Sequence, residues 1–211
     1  MKKIIHLLIL LFITGSQVFA CKSAPKMIGS QTENDEINAK RIAIVYLSRT
    51  NNTKVLAEMI HAVVGGDLIA LETLNPYPSD YKQMVDQVAS ENNRNYFPPI
   101  KTKIDLSQYD KIYLGFPTWG MQLPPPMKSF LNKYDWKGKV IVPFNSNAGY
   151  GLGSCLEDLN TYAKGATILE AFSTKGGIER DGIKLAIEGE RRLEVAKTLN
   201  DWLLKVNQTK Q

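Results

Sequence analysis

Residues 41–53, RIAIVYLSRTNNT, constrain the fold more than any other stretch of the 211 residues. They begin as a short apolar run over 42–47, rich in β-branched side chains, which reads as a strand buried on both faces of a parallel sheet. The run breaks into Ser48, Arg49, Thr50, Asn51, Asn52 and Thr53, after which Val55, Leu56, Met59, Ile60 and Val63 recur at helical spacing. Strand, polar turn and helix in that order put free backbone N–H groups and small hydroxyls at a helix N-terminus, where the macrodipole favours an anion such as phosphate. An ordinary loop closed by a Ser, Thr or Asn cap has the same composition. The turn alone does not choose between a ligand seat and a cap.

Upstream of this stretch, Lys2 and Lys3 precede an apolar segment over 4–13, and Val18, Phe19 and Ala20 stand before Cys21. Residues 1–20 read as a secretory leader whose apolar part is too short to span a bilayer. The Ala20-Cys21 junction resembles the end of a bacterial lipobox, which implies lipidation of Cys21 and a membrane anchor with no spanning helix. Simple cleavage after Ala20 is the alternative. Residues 21–40 are polar and aperiodic, a flexible tether; the folded domain is expected over 41–206, with a tail at 207–211. An exported protein of the bacterial cell envelope follows. Loss of Lys2 and Lys3 lowers the formal charge from +5 to +3. The basic residues are scattered and not interleaved with aromatics, so nucleic acid is not an expected partner. Cys155 has no disulfide partner if Cys21 is lipidated. No metal-ligand spacing occurs, and His61, the domain's only histidine, falls in the first helical pattern, where a structural role is expected.

Five strand candidates (41–47, 67–71, 110–116, 139–144 and 167–172) alternate with helical patterns over 52–63, 79–92, 124–134, 154–164 and 189–206. Pro124, Pro125 and Pro126 mark the start of the third helix, and Ser154 with Glu157 matches a capping box for the fourth. Strict βα alternation predicts an α/β fold: a doubly wound, five-stranded parallel sheet with helices on both faces and a ligand site outside the carboxyl ends of the strands. The loops after strands one, three and four then lie side by side. The second, over 115–122, sets Trp119 between Pro117 and Gly120; the third, over 145–153, holds three glycines, two asparagines and Tyr150. Small and aromatic residues converging there suit a flat heteroaromatic ring, bonded at its edge by backbone groups and covered on its faces.

Four runs in order, YLSRTNNT at 46–53, NPYPSDY at 75–81, YDKIYLGFPTWG at 109–120 with PPPMKSFL at 124–131, and GKVIVPFNSNAGYGLG at 138–153, resemble the flavodoxin family, specifically its lipoprotein and small exported members. The resemblance covers about 41–206. It implies a flavodoxin-like sheet of order 2-1-3-4-5 and noncovalent FMN. It also implies that Ser48, Thr50, Asn51, Asn52 and Thr53 hold the phosphate, with Arg49 and Lys54 flanking it; a bound dianion would offset the unfavourable placing of cations at a helix start. Pro117, Thr118, Trp119, Gly120 and Met121 would line one side of the isoalloxazine, and Ser146, Asn147, Gly149, Tyr150 and Gly151 the other. Gly120 would have a second role, a peptide free to flip towards flavin N5. Two departures stand out. Asn51 replaces the family's glycine, as the residue next most tolerant of a left-handed backbone, and the third loop reads SNAGYG.

These features predict an exported FMN protein that moves electrons, a carrier rather than a substrate-specific oxidoreductase, with an unidentified redox protein or small electron acceptor as partner. A small FMN-dependent quinone-type reductase and a flavin-free binding lipoprotein on the same fold are the alternatives. The glycines at 149, 151 and 153 follow strand four, so they are not the dinucleotide fingerprint, which follows strand one. Neither ring loop carries an acidic residue and the mature charge is positive, unlike strongly acidic flavodoxins. Since reduced flavin is anionic and nearby carboxylates would raise its energy, a less negative potential is expected here.

Overall fold

The computed structural model describes residues 41–208. The leader, Cys21, the tether and residues 209–211 lie outside them. Within these bounds the chain runs β1 (Ile42–Tyr46), α1 (Asn52–Val64), β2 (Asp67–Ala70), α2 (Tyr81–Asn93), β3 (Lys111–Pro117), α3 (Pro125–Lys133), β4 (Val140–Asn147), α4 (Cys155–Tyr162), β5 (Thr167–Ile168), β6 (Phe172–Lys175) and α5 (Gly189–Gln208). The pairings between these strands are parallel and the order is β2-β1-β3-β4-β5, with β6 also on β4. The doubly wound α/β sheet predicted from the alternation is therefore present.

Successive strand residues point to opposite faces, so a strand covered on both sides must be apolar throughout. Ala43, Val45, Ile112, Leu114, Phe116 and Ile141 pack with Met127, Phe130 and Leu131 of α3 and with Cys155 and Leu159 of α4. Their neighbours Ile44, Tyr46, Tyr113, Val142 and Phe144 pack with Val55, Leu56 and Ile60 of α1 and with Leu199, Trp202 and Leu203 of α5. Each large apolar side chain so buried is worth roughly 1.5–3 kcal/mol, which makes the two cores the main favourable term.

The structure departs from expectation in five places. The fifth strand is two short segments on the same edge of β4: Thr167–Ile168 pairs with Val140 and Ile141, and Phe172–Lys175 pairs with Phe144, Asn145, Ser146 and Asn147. Between them the carbonyl of Glu170 accepts the indole N–H of Trp202 at 3.0 Å and takes no part in the ladder. For the same reason β4 continues to Asn147, and Asn145, Ser146 and Asn147, expected in a loop, are buried strand residues. Ser154 does not cap α4; its hydroxyl faces the Met121 carbonyl at 3.4 Å, and its N–H donates there at 2.8 Å. Helix α5 runs on to Gln208, because Asn207 accepts the buried Tyr113 hydroxyl at 2.9 Å.

The largest departure concerns α2. Its buried apolar residues, Met84 and Val88, belong to neither core, while Tyr81 and Val85 are exposed. Four helices cover the sheet; the fifth does something else.

Gly115 admits the tip of the Phe144 ring against β3: a Cβ there would overlap Phe144 Cζ and Cε2. Gly115→Ala should cost about 1–3 kcal/mol in urea unfolding, as overpacking does. The double variant Gly115→Ala/Phe144→Leu should recover part of the loss. Full stability of the single variant would contradict the packing described.

Candidate functional site

The turn after β1 leaves the sheet at its carboxyl edge. Asn51 takes the left-handed conformation (φ 66°, ψ −4°) that the sequence requires of a glycine substitute, and no side chain caps the start of α1. The backbone N–H groups of Thr50, Asn51, Asn52 and Thr53 find no acceptor among the described residues. These are four donors at the positive end of a helix, the elementary requirement for an anion seat. Ser48 Oγ lies 3.3 Å from the Lys54 N–H, closing the turn.

This turn opens into a cleft of about 360 Å³. Ser48, Arg49, Thr50, Asn52 and Thr53 line one end; Pro117, Thr118, Trp119 and Gly120 line one side, and Ser146, Asn147, Ala148 and Tyr150 the other. Asn51, Met121, Gly149 and Gly151 are not among the lining residues. Trp119 and Gln122 exchange backbone hydrogen bonds across Gly120 and Met121, whose φ values of 58° and 60° make a tight turn of the hairpin kind. That turn aims Trp119 into the cleft and leaves the Met121 side chain half exposed. Trp119 is held from behind by Tyr77, edge-on at 5.3 Å, whose hydroxyl is bonded to the buried Glu91 carboxylate. Burial and that hydrogen bond push the Tyr77 phenol pKa well up. Tyr150 is 65% exposed at the mouth.

Several of the polar side chains that line the cleft also hold the site's own framework. Thr53 Oγ1 and Ser146 Oγ are 2.8 Å apart. Asn147 Oδ1 accepts the N–H groups of Gly149 and Gly151 at 2.8 and 3.1 Å, and the Thr118 hydroxyl donates to the Gly151 carbonyl at 2.8 Å. Asn52, 3% exposed, donates to the Lys184 carbonyl at 2.6 Å and accepts from the N–H groups of Ala186 and Ile187 at 2.9 and 3.2 Å. The Arg49 guanidinium grips the Glu179 carboxylate (2.8 Å) and donates to the carbonyls of Pro78 and Ser79 at 2.7 and 2.8 Å. Lys54 is exposed, 3.9 Å from Glu58.

Two parts of the cleft were not visible in the sequence reading. The first is α2, whose Tyr81, Met84, Val85, Val88 and Ala89 form an apolar wall. Its apolar face, wider than one sheet contact needs, was the available signal. The second is the strap between β6 and α5, which brings Gly176, Gly177, Ile178, Glu179 and Arg180 to the cleft. The strap amends the charge argument, because Glu179 is a carboxylate in the lining; Arg49 matches its charge.

Cys155 is buried, 3.9 Å from the Thr118 hydroxyl, and burial pushes its thiol up to about 12, so it remains protonated at neutral pH and is no nucleophile. Among the described residues no cluster of metal ligands occurs, and no helix is long and apolar enough to cross a membrane.

The chain belongs to the flavodoxin family: a flavodoxin family model matches residues 41–189. Among solved structures it is similar to a candidate flavoprotein from Bacteroides eggerthii, at 26% identity and TM-score 0.61, covering 77% of this chain and 95% of that one. It is also similar to a flavoprotein from Lactobacillus acidophilus solved in complex with FMN, at 25% identity and TM-score 0.57, covering 64% and 93% of the two chains. No curated protein matches it.

Asn52→Ala should cost about 1–3 kcal/mol, since it leaves the part-buried N–H of Ala186 and the buried N–H of Ile187 without their acceptor. Hydrogen exchange at Ala186 and Ile187 should accelerate more than exchange in β1. Unchanged protection at those two amides would show that Asn52 does not hold the strap.

Proposed function

We propose that this protein binds one FMN in the cleft and transfers electrons through it in the bacterial cell envelope. The observation that carries the reading is the row of four unpartnered N–H groups at residues 50–53, of which Thr50, Asn52 and Thr53 line a cleft with an aromatic wall. A volume of about 360 Å³ falls within the roughly 300–1,000 Å³ usual for small-molecule sites. The FMN complex of the Lactobacillus relative supports the same ligand. When bound, FMN would supply reversible electron transfer; the protein contributes orientation and electrostatics.

The geometry supports the following roles for this chain's residues. The N–H groups of Thr50, Asn51, Asn52 and Thr53 receive the phosphate. Arg49 and Asn52 act at one remove, as clamps that fix the turn against the strap and the loop before α2. Trp119, backed by Tyr77, supplies the flat surface for the ring. The wall made by α2 supports a second reading, reduction of a small quinone-type acceptor, because an apolar helix face left out of both cores can receive an apolar molecule beside the flavin. A lipid anchor on Cys21 would hold the protein at a membrane.

Titration of residues 22–211 with FMN should give one tightly bound flavin, with riboflavin at least tenfold weaker for lack of the phosphate. A redox titration of the complex should give a potential less negative than that of an acidic flavodoxin. Failure to take up FMN would leave a binding protein on this fold, and an equally low potential would remove the charge argument. Metabolic labelling of the full chain in bacteria with a fatty-acid analogue should mark the wild type and not Cys21→Ser; an unlabelled wild type would make the protein a free exported one.

A further inference from the structure

Beneath the Trp119 turn lies a buried lysine that nothing above uses. Lys128, on α3, is 7% exposed. Its ammonium donates to Gln122 Oε1 at 2.5 Å and to Asn92 Oδ1 at 3.4 Å, and it lies 3.8 Å from the Asp158 carboxylate. Asp158 also accepts the N–H of Leu123 at 2.9 Å, which ties the network to the chain just beyond the turn.

An ammonium group has donors and no acceptor, so each amide must turn its oxygen towards Lys128. Their NH₂ groups are thereby turned away from the lysine. Both residues line the cleft, and neither NH₂ group has an acceptor among the described residues. Asn92 Nδ2 stands 3.8 Å from the place a Cβ on Gly120 would occupy, beside the tip of the Trp119 turn. The same end of the cleft is walled by the neutral side chains of Val88 and Ala89 from α2. A pair of amide donors at the end of an uncharged, apolar wall suits oxygens that accept hydrogen bonds without carrying full charge.

We propose that Gln122 and Asn92, their oxygens tied to Lys128, form a subsite whose amide N–H groups hold the carbonyl oxygens of a flat apolar ring laid against α2. The inference rests on the flavin reading for its setting. Two molecules share the required chemistry: the flavin ring itself, through its pyrimidine carbonyls, and a quinone acceptor. Lys128 is a positioning residue; the two amides are the binding groups.

Gln122→Glu and Asn92→Asp test this directly. Each keeps an oxygen on Lys128, so the fold retains its tie, and each replaces the outward NH₂ donor by a carboxylate oxygen that repels a carbonyl. The probes are riboflavin, inorganic phosphate and the quinone menadione, with binding to the flavin-free protein read by flavin or tryptophan fluorescence and the melting temperature read alongside. A loss of about tenfold or more in riboflavin affinity, with phosphate affinity and melting temperature maintained, would assign the subsite to the flavin ring. Unchanged riboflavin affinity with a similar loss for menadione would assign it to the acceptor. If neither affinity changes, or if both fall together with phosphate affinity and melting temperature, the trio is structural and the proposal is overturned. A wild-type protein that ignores FMN and riboflavin but binds menadione, with the loss in the variants, would refute the flavin reading and leave this one standing; binding of none of the three would refute both.

Discussion

The cleft depends first on the position of β1. It is hydrogen-bonded to β2 on one side and β3 on the other, in register from Ala43 with Asp67 and Ile112, and both its faces are buried. A strand held on four sides cannot slip by one residue without breaking both ladders and exchanging the side chains fitted into each core, Ala43 and Val45 on one face with Ile44 and Tyr46 on the other. The turn that follows is therefore delivered to a fixed point on the carboxyl edge, with Asn51 reversing the chain and the first N–H groups of α1 facing outward. Every other wall is placed relative to that point.

The second constraint is the strap. Asn52 and Arg49 stand three residues apart in the turn, and both reach more than a hundred residues along the chain, to the backbone of 184–187 and to Glu179. Their side chains are thus committed to the shape of the anion seat, while the backbone beside them remains free to donate. This division is economical for a seat that must stay rigid, since peptide N–H groups lose no side-chain entropy on meeting a ligand. Asn147 does the same for the third loop, holding Gly149 and Gly151 in place. An extended cleft wall then comes from α2, whose apolar face is left to the cleft because α1 and α5 take one face of the sheet and α3 and α4 the other.

Much of this was legible in the residues. Continuous apolar runs announced strands buried on both faces, and the flavodoxin-like order of the motifs announced the topology. Trp119 between Pro117 and Gly120 was read as a cleft residue from its turn chemistry alone. What was not legible had a common cause, long-range backbone bonding. The break at Glu170 depends on an indole thirty-two residues away. The burial of Asn145, Ser146 and Asn147 depends on a strand segment that supplies their partners, and polar side chains of this kind read as loop until those partners are known.

The sequence by itself determined the alternation of elements, the parallel sheet and the polar turn after β1, because period and propensity are local and repeat along the chain. The tertiary structure alone decided which polar groups remain available to a ligand. Arg49, Asn52 and Asn147 line the cleft as the sequence suggests but also serve as clamps, while Gln122 and Asn92 look incidental in the sequence and line the cleft too. The physical reason is that hydrogen-bonding capacity is finite. A side chain's function is what is left after its folded neighbours have taken their share, and those neighbours are set by packing between residues far apart in sequence.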